Sequence, residues 1–381
     1  MSDSKPSADY LAALRKRYRA ARKKQRSIIL DELVKTTGYH RKHASALLSG
    51  KRMHRHGPIR RPRARVYTPE DERVVLRLAE IFDQISSQRL RVAMDATLAI
   101  LRRQGNPRVS TQCYAHLQRI SPATMDRIRS AHRLPGRRHR GFTKPGTLLK
   151  RQIPIRTFAD WDGMRPGFVE IDLVDHSGGD SRGEFGQTLN ATDVHTGRTE
   201  MAAVPTKAQK YVFVALQAIR GRLPVPLLGS DSDNGAEFIN NELFRYCLQE
   251  QITFSRGREG RKNDNPFVEH KNWSVVRRIA GYRRYDTRKQ VDLLNRLYAR
   301  YRHYINFFLP VTKLKDKVRT GSHVRRVFDV PQTPYARMLA SPGVRESDKK
   351  KLKEEYAGLD VVKLRAEIGE ALEDLLASHP R

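Results

Sequence analysis

Hydrophobic residues in the first fifty positions recur at three- and four-residue steps, the period of helices with one buried face. The run Leu11–Arg26 sets Ala and Leu at that spacing among Arg15, Lys16, Arg17, Arg19, Arg22, Lys23, Lys24 and Arg26, with no acid, and reads as a basic helix. A second helix follows with Ile28, Ile29, Leu33 and Val34 as its apolar face. Gly38 breaks it, and a third helix runs from about Tyr39 through His43, Ala44, Leu47 and Leu48 to Gly50. Helix, short glycine turn and amphipathic helix make the helix-turn-helix pattern. Its second member offers His40, Arg41 and Lys42 near the start, side chains suited to phosphates and base edges. The same residues also suit an ordinary helical hairpin with a solvated basic face.

Helical periodicity resumes from Pro69 to about Ala131, through Val74, Val75, Leu78 and Ile81, then Leu90, Met94, Leu98 and Leu101, with a break at Gly105-Asn106-Pro107. Ser121 reads as a cap and Pro122 as a first-turn residue. This predicts a second helix-turn-helix module with Thr124, Arg127 and Arg129 on its recognition helix.

Between Pro166 and Phe254 the period changes to two, that of strands. In Gly167–Asp175, residues Val169, Ile171 and Leu173 point one way while Glu170, Asp172 and Val174 point the other. Strands around Gln187–Asp193 and Glu200–Val204 complete a meander. A helix over about Ala208–Ile219 buries Val212, Leu216 and Ile219, and a short strand from Pro226 runs into Asp231-Ser232-Asp233-Asn234-Gly235. Asn265-Pro266 starts a further helix. That helix buries Val268, Val275 and Ile279 and presents Glu269, Trp273 and Val276 on an adjacent face. Val291–Phe308 predicts an aromatic-rich helix for core or subunit interface, and Val318–Val330 a small β element with Arg319, His323, Arg325 and Arg326 that touches DNA. Glu346–Leu376 reads as a helical tail suited to oligomerisation.

Charge changes the picture. The 381 residues hold 74 Lys+Arg against 41 Asp+Glu, a net +33. A field of that sign concentrates phosphates and argues against a typical acidic metabolic enzyme. Two further basic stretches contain no acid. The first, Lys51–Tyr67, sets Arg60, Arg61, Arg63 and Arg65 between and after prolines. An extended Arg/Pro strand fits a narrow minor groove, and it equally fits a solvated linker. The second, Arg133–Arg156, is linker-like, with Gly136, Gly141, Pro145 and Gly146. Two cysteines far apart, Cys113 and Cys247, make neither a disulfide framework nor a Cys-rich zinc site, which indicates a reducing compartment. No apolar run approaches the ~20 residues that a bilayer needs, and Met1-Ser2-Asp3-Ser4 opens no signal-peptide core. The expected setting is cytoplasmic and nucleoid-associated, with no membrane.

Candidate chemistry gathers in the strand region. Asp172 is a carboxylate inside an apolar strand, where Asp is disfavoured. Asp233-Asn234-Gly235 alone is also a common turn. Two acids at strand ends and Glu269 on a helix are nevertheless able to converge. Crowded carboxylates repel and push one pKa upward. A hard divalent cation, Mg²⁺ or Mn²⁺, removes that conflict.

The order Asp172, Asp233 and Glu269, with 35 residues between the last two, resembles the D,D(35)E triad of retroviral-integrase-type transposases. The flanking text is similar as well: Phe168-Val169-Glu170-Ile171-Asp172, Ser232-Asp233-Asn234-Gly235 with Glu237-Phe238, and Asn265-Pro266-Phe267-Val268-Glu269 with Asn272. The chain looks like one group of bacterial insertion-sequence transposases with an integrase catalytic region, whose members share text like Thr37–Ala44 and Tyr304–Pro310. The resemblance implies an RNase H-like core, a mixed five-stranded sheet with helices on both sides. It places Asp172 on the first strand, Asp233 just after the fourth and Glu269 on the following helix, as catalytic residues holding two Mg²⁺ (or Mn²⁺) ions. Asp175 and Asp231 become neighbours of the site, as do His176 and His270. Lys271, Arg277 and Arg278 would meet backbone phosphate. One departure from retroviral integrases is the lack of their N-terminal His/Cys zinc module.

The organisation expected is therefore multidomain. Residues 1–50 form a helix-turn-helix DNA-binding module, 51–67 a basic linker, and 68–132 a second helical DNA-binding module. Residues 133–160 form another basic linker, 161–285 the α/β catalytic core, and 286–381 a mostly helical C-terminal region with a small β element. The implied activity is binding of mobile-element ends, phosphodiester hydrolysis and strand transfer on double-stranded DNA. A homo-oligomer is implied too, because paired ends need at least two subunits. A nuclease of the same fold without strand transfer, and a DNA-binding regulator with lapsed catalysis, are the competing readings.

Overall fold

Capping decides where the first helices begin and end. α1 (Ala8–Ala20) stops where Arg26 reaches back, its Nε and Nη2 donating to the carbonyls of Tyr18 and Arg19 at 3.0 Å each. α2 (Lys23–Thr37) is closed by Gly38 at φ 70°, whose N–H donates to the Val34 carbonyl at 2.8 Å. Left-handed backbone at that position is the usual reason for glycine. α3 (Arg41–Ser49) begins at His40, whose Nδ1 accepts the Lys42 N–H. Leu14, Leu33, Ala44 and Leu48 close the core of this unit, Met1–Val66. The basic run Leu11–Arg26 thus forms two helical pieces rather than one, and Arg26 supplies the stop. Ile28 is exposed while Ile29, Leu30 and Leu33 are buried, so the apolar face is rotated from the one that spacing predicts.

The computed structural model describes residues 8–50, 65–105, 107–132, 165–232, 237–238, 241–256, 266–320 and 323–379. Arg60, Arg61, Arg63, Asp233 and the basic stretch 133–156 lie outside them.

The second unit, Tyr67–Arg381, opens with four helices: α4 (Pro69–Ile81), α5 (Ser87–Gln104), α6 (Thr111–Gln118) and α7 (Pro122–Ala131). Side chains cap three of the four, with Ser110 ahead of α6. Thr68 and Asp71 form a reciprocal capping box on α4, and Ser121 Oγ accepts the Thr124 N–H at 3.2 Å ahead of α7. The core of these helices is continuous with that of the C-terminal helices described below.

The sheet follows. β1 (Phe168–Asp175), β2 (Gln187–Asp193) and β3 (Thr199–Val204) are antiparallel neighbours. After α8 (Gln209–Arg222), β4 (Gly229–Ser232) lies parallel to β1. After α9 (Asn241–Gln249), β5 (Thr253–Arg256) extends the parallel edge. The order is β3-β2-β1-β4-β5, a mixed five-stranded sheet of RNase H-like topology. Val169, Ile171, Leu189 and Ala191 face the α8 and α9 side, with Val212, Leu216 and Leu243. Val174, Met201 and Ala203 face the other side. Alternation along β1 therefore feeds one core through Val169 and Ile171, while its other face sets Glu170 and Asp172 beside Val174.

The second face is covered by α10 (Pro266–Lys271), a π-helical turn over Asn272–Arg277, α11 (Arg278–Ala280) and α12 (Arg288–His303). Another π-helical turn, Tyr304–Phe308, leads to the hairpin of β6 (Leu314–Thr320) and β7 (His323–Phe328). α13 (Pro334–Ala340), α14 (Glu346–Ala357) and α15 (Val361–Ala377) complete the chain. α15 packs on α12, and its Leu364, Ile368 and Leu375 are buried within this same chain, so the tail's apolar face serves the intramolecular core. No helix among the described residues is long and apolar enough to cross a membrane.

Candidate active site

Asp172 sits near the middle of the central strand and is half-buried. Its Oδ1 accepts the Leu173 N–H at 2.8 Å, and its Oδ2 accepts the Asn272 side-chain amide at 2.5 Å. Asn272 Oδ1 in turn accepts Nδ2 of Asn190 at 2.7 Å. Asn190 is fully buried and stands opposite Asp172 in the β1–β2 register. Three residues from three elements thus hold one carboxylate in place. Asn272 is three residues past Glu269, so this contact brings the Glu269-bearing helix against the strand of Asp172.

A second tie lies two residues earlier on the same strand face. Glu170 is buried, and its Oε2 accepts the N–H groups of Phe267 and Val268, each at 2.8 Å. Those are orphan donors of the first turn of α10, and a carboxyl oxygen satisfies them. Burial is the main cause that pushes Glu170 up to about 8; the Asp231 and Glu269 carboxylates add to the rise, and the two backbone donors oppose it. Asp231 is buried on β4, with Oδ1 accepting from Ser255 Oγ at 2.5 Å. Ser232, which ends β4, pairs with Ile171, the residue before Asp172. Asp233 follows it in sequence and lies outside the described residues.

Glu269 itself is exposed on α10. Just beyond it the helix widens. The π-helical turn places both Val275 and Val276 in the core, where regular α spacing predicts Val275 with Ile279 and leaves Val276 on the outer face. π-turns inside helices frequently occur at functional sites.

Other residues singled out by sequence occupy varied places. Lys271 is buried, and burial, then Arg89 and Arg337, hold its ammonium down to about 7. Arg278 is joined through Nε to Asp83 Oδ2 at 2.5 Å, and also to the Asp83 carbonyl. Arg41 pairs with Asp31 and donates to Ser27 Oγ at 2.8 Å, while His40 caps α3 and Lys42 is exposed. Arg65 is exposed. Arg127 is exposed on α7, its Nη2 3.3 Å from Thr124 Oγ1, whereas Arg129 is tied to Ser87 Oγ at 2.9 Å. His176 is buried, with Nε2 2.7 Å from Thr188 Oγ1, and His270 is exposed. Burial raises the pKa of Asp175, against the fields of Lys207 and Arg277.

Sequence reasoning missed Glu170 and Asn190. The signal for Glu170 was present, since it alternates onto the same strand face as Asp172. Asn190 has no such signal, because only strand pairing sets it opposite Asp172. Among the described residues no three His, Cys, Asp or Glu side chains gather as a metal-holding group.

No family model matches the chain. It is 38% identical over 333 residues to the uncharacterized protein y4rM of Sinorhizobium fredii (strain NBRC 101917 / NGR234), covering 86% of this chain and 94% of that protein. Among solved structures it is similar to the catalytic core domain of HTLV-2 integrase in complex with magnesium. That likeness has 15% identity and a TM-score of 0.30, over 39% of this chain and 92% of that one. The catalytic core domain of BIV integrase gives 19% identity and a TM-score of 0.32, over 49% and 97% respectively.

Proposed function

The chain belongs to the family of the Sinorhizobium fredii protein y4rM, and we propose that it is a DNA transposase of the DDE type, with Asp172, Asp233 and Glu269 as its catalytic carboxylates. The observation that carries this reading is the hydrogen bond from Asn272 Nδ2 to Asp172 Oδ2 at 2.5 Å. It supports a site to which the first strand and the Glu269 helix both contribute. The order and spacing of the three acids support it independently.

The donor set fits a hard divalent cation. Asp172 is an oriented carboxylate and Glu269 an exposed one, the hard oxygen donors that such a cation takes. Asp172, Asp233 and Glu269 would hold Mg²⁺ or Mn²⁺, as a pair of ions. Bound there, such ions supply activation of an attacking oxygen and neutralisation of charge on a phosphate. The chain's own residues do the positioning. Asn272 and Asn190 fix the Asp172 carboxylate, and Glu170 fixes the start of the helix that bears Glu269.

The reaction proposed is hydrolysis at an element end to leave a 3′-hydroxyl, followed by in-line attack of that hydroxyl on a target phosphodiester, which forms a new P–O bond as the target strand's own P–O3′ bond breaks and its 3′-oxygen leaves as a hydroxyl. The net charge of +33 favours the duplex partner. Residues at the start of α3 (His40, Arg41, Lys42), the arginines Arg60, Arg61, Arg63 and Arg65, and Thr124 with Arg127 are the proposed reading and positioning groups. Arg278 is proposed to act nearer the site, whereas the burial of Lys271 keeps it from the phosphate contact that the sequence suggests. Two subunits are proposed to pair two ends.

The test is incubation of the purified chain with Mg²⁺ and duplexes bearing candidate ends, mapping new 3′-hydroxyls and joined products. Glu269→Gln should keep end binding and lose metal-dependent cleavage. Nicking by that variant at the wild-type rate would remove Glu269 from the mechanism. Nicking without joining by the wild-type chain would favour the plain nuclease.

A further inference from the structure

We propose that Trp273 is a stacking platform for an unpaired nucleobase at the end of a bound DNA duplex, an inference that rests on the nucleic-acid reading above and adds a base contact to it. Its indole is 66% exposed, one helical turn beyond Glu269. The π-helical turn Asn272–Arg277 turns Val275 and Val276 into the core and leaves Trp273 outside. Arg277 comes four residues later, its guanidinium 4.9 Å from the ring centroid of Tyr282, which is itself exposed. Glu269, Trp273 and Arg277 therefore recur at four-residue steps, and flat groups continue past the indole.

The surroundings choose the occupant. Between Glu269 and Asp286 the sequence has no acid, and Arg283 is exposed and Arg277 half-buried, while Lys271 is buried, Arg278 pairs with Asp83 and Arg284 with Asp286. A phosphodiester chain on either side of a stacked base suits that field, and an indole face accepts any base because every base has a π-face. A second copy of a chain with net charge +33 would bring like charge to the same place.

Trp161 and Trp273 are the chain's two indoles, so a Trp273→Phe variant supplies the Trp161 background. The full chain is titrated, in EDTA, with a duplex carrying a short single-stranded tail and with a duplex closed by a hairpin. The tailed duplex should quench the wild-type indole signal and leave that of Trp273→Phe unchanged. Trp273→Leu, which keeps an apolar side chain without a π-face, should bind the tailed duplex about 10-fold more weakly. It should bind the closed duplex as the wild type does, and Trp273→Phe should restore the preference for the tail. Binding of both duplexes with an unmoved indole signal would overturn the proposal, as would a Trp273→Leu variant with full tail preference. An indole signal that shifts with protein concentration alone would make this face a contact between copies and overturn it equally. If neither duplex binds, the nucleic-acid reading fails and takes this inference with it.

Discussion

The backbone N–H of Val268 donates to Glu170 Oε2 across 2.8 Å, joining the first turn of α10 to the central strand. Phe267 donates to the same oxygen. One strand therefore carries Asp172 and also the group that holds the start of the Glu269 helix. Asp172 and Glu269, far apart in sequence, are thus referred to a common strand through Glu170.

Removing that acceptor leaves two backbone donors unsatisfied, one buried and one partly buried, at a cost of about 1–3 kcal/mol for the buried one. Glu170→Leu should lose about that much stability in urea denaturation and should impair cleavage. Glu170→Gln keeps a carbonyl oxygen as acceptor and should retain most of both. A Leu variant that matches the wild type in both measurements would show that Glu170 does not set the helix.

Asn272 orients Asp172 directly. Groups that orient a metal-binding carboxylate are typically worth about 10–100-fold in metal affinity or activity. Asn272→Ala should lower cleavage by that factor while leaving DNA affinity unchanged. Asn272→Asp should be worse, because it sets a new negative charge against Asp172. Cleavage rates measured across a Mg²⁺ titration check both. An Asp variant that outperforms the Ala variant would mean that position 272 supplies a ligand.

Glu200 is fully buried on β3 and serves several arginines. Arg198 Nη2 lies 3.0 Å from its Oε1, and Arg302 Nε 2.6 Å from its Oε2. Arg198 is itself buried, its Nε and Nη1 having no hydrogen-bond partner among the described residues, and Glu200 is its counter-charge. Breaking a buried pair by removing one partner costs about 3–5 kcal/mol. Glu200→Gln should lower the denaturation midpoint accordingly and loosen α12 from the sheet. A loss well below that range would show that water or another carboxylate compensates Arg198.

Much of the fold is legible in the sequence itself. The alternation of Val169, Ile171 and Leu173 against Glu170, Asp172 and Val174 foretold β1 and its two faces, because a period of two leaves no other arrangement. Ser121 and Gly38 mark helix ends because capping is local chemistry. The break between α1 and α2 was hidden, since Arg26 makes it by bonding carbonyls seven and eight residues back. The π-turn was hidden as well. Regular spacing assigns Val276 to the outer face, and only packing against the sheet shows it buried beside Val275. Lys271 reads as a phosphate-seeking cation in sequence, and its burial follows from the turn of the helix rather than from composition.

His176 gives the fold a definite acid sensitivity. Its Nε2 is 2.7 Å from Thr188 Oγ1, which is 2.8 Å from Tyr298 Oη, and Tyr285 meets the ring edge-on. Burial first, and the Arg277 charge second, hold the imidazole down to about 3 from an ordinary 6.5. Between those values the unfolded chain takes up a proton that the folded chain refuses. The contribution to stability is therefore complete above pH 6.5 and is lost as pH falls toward about 3. The slope from this one group approaches about 1.4 kcal/mol per pH unit. His176→Gln does not titrate, so its urea midpoint should depend less on pH between about pH 6 and pH 4, although it should be less stable at neutral pH. Equal slopes for the two proteins over that range would place the acid sensitivity elsewhere.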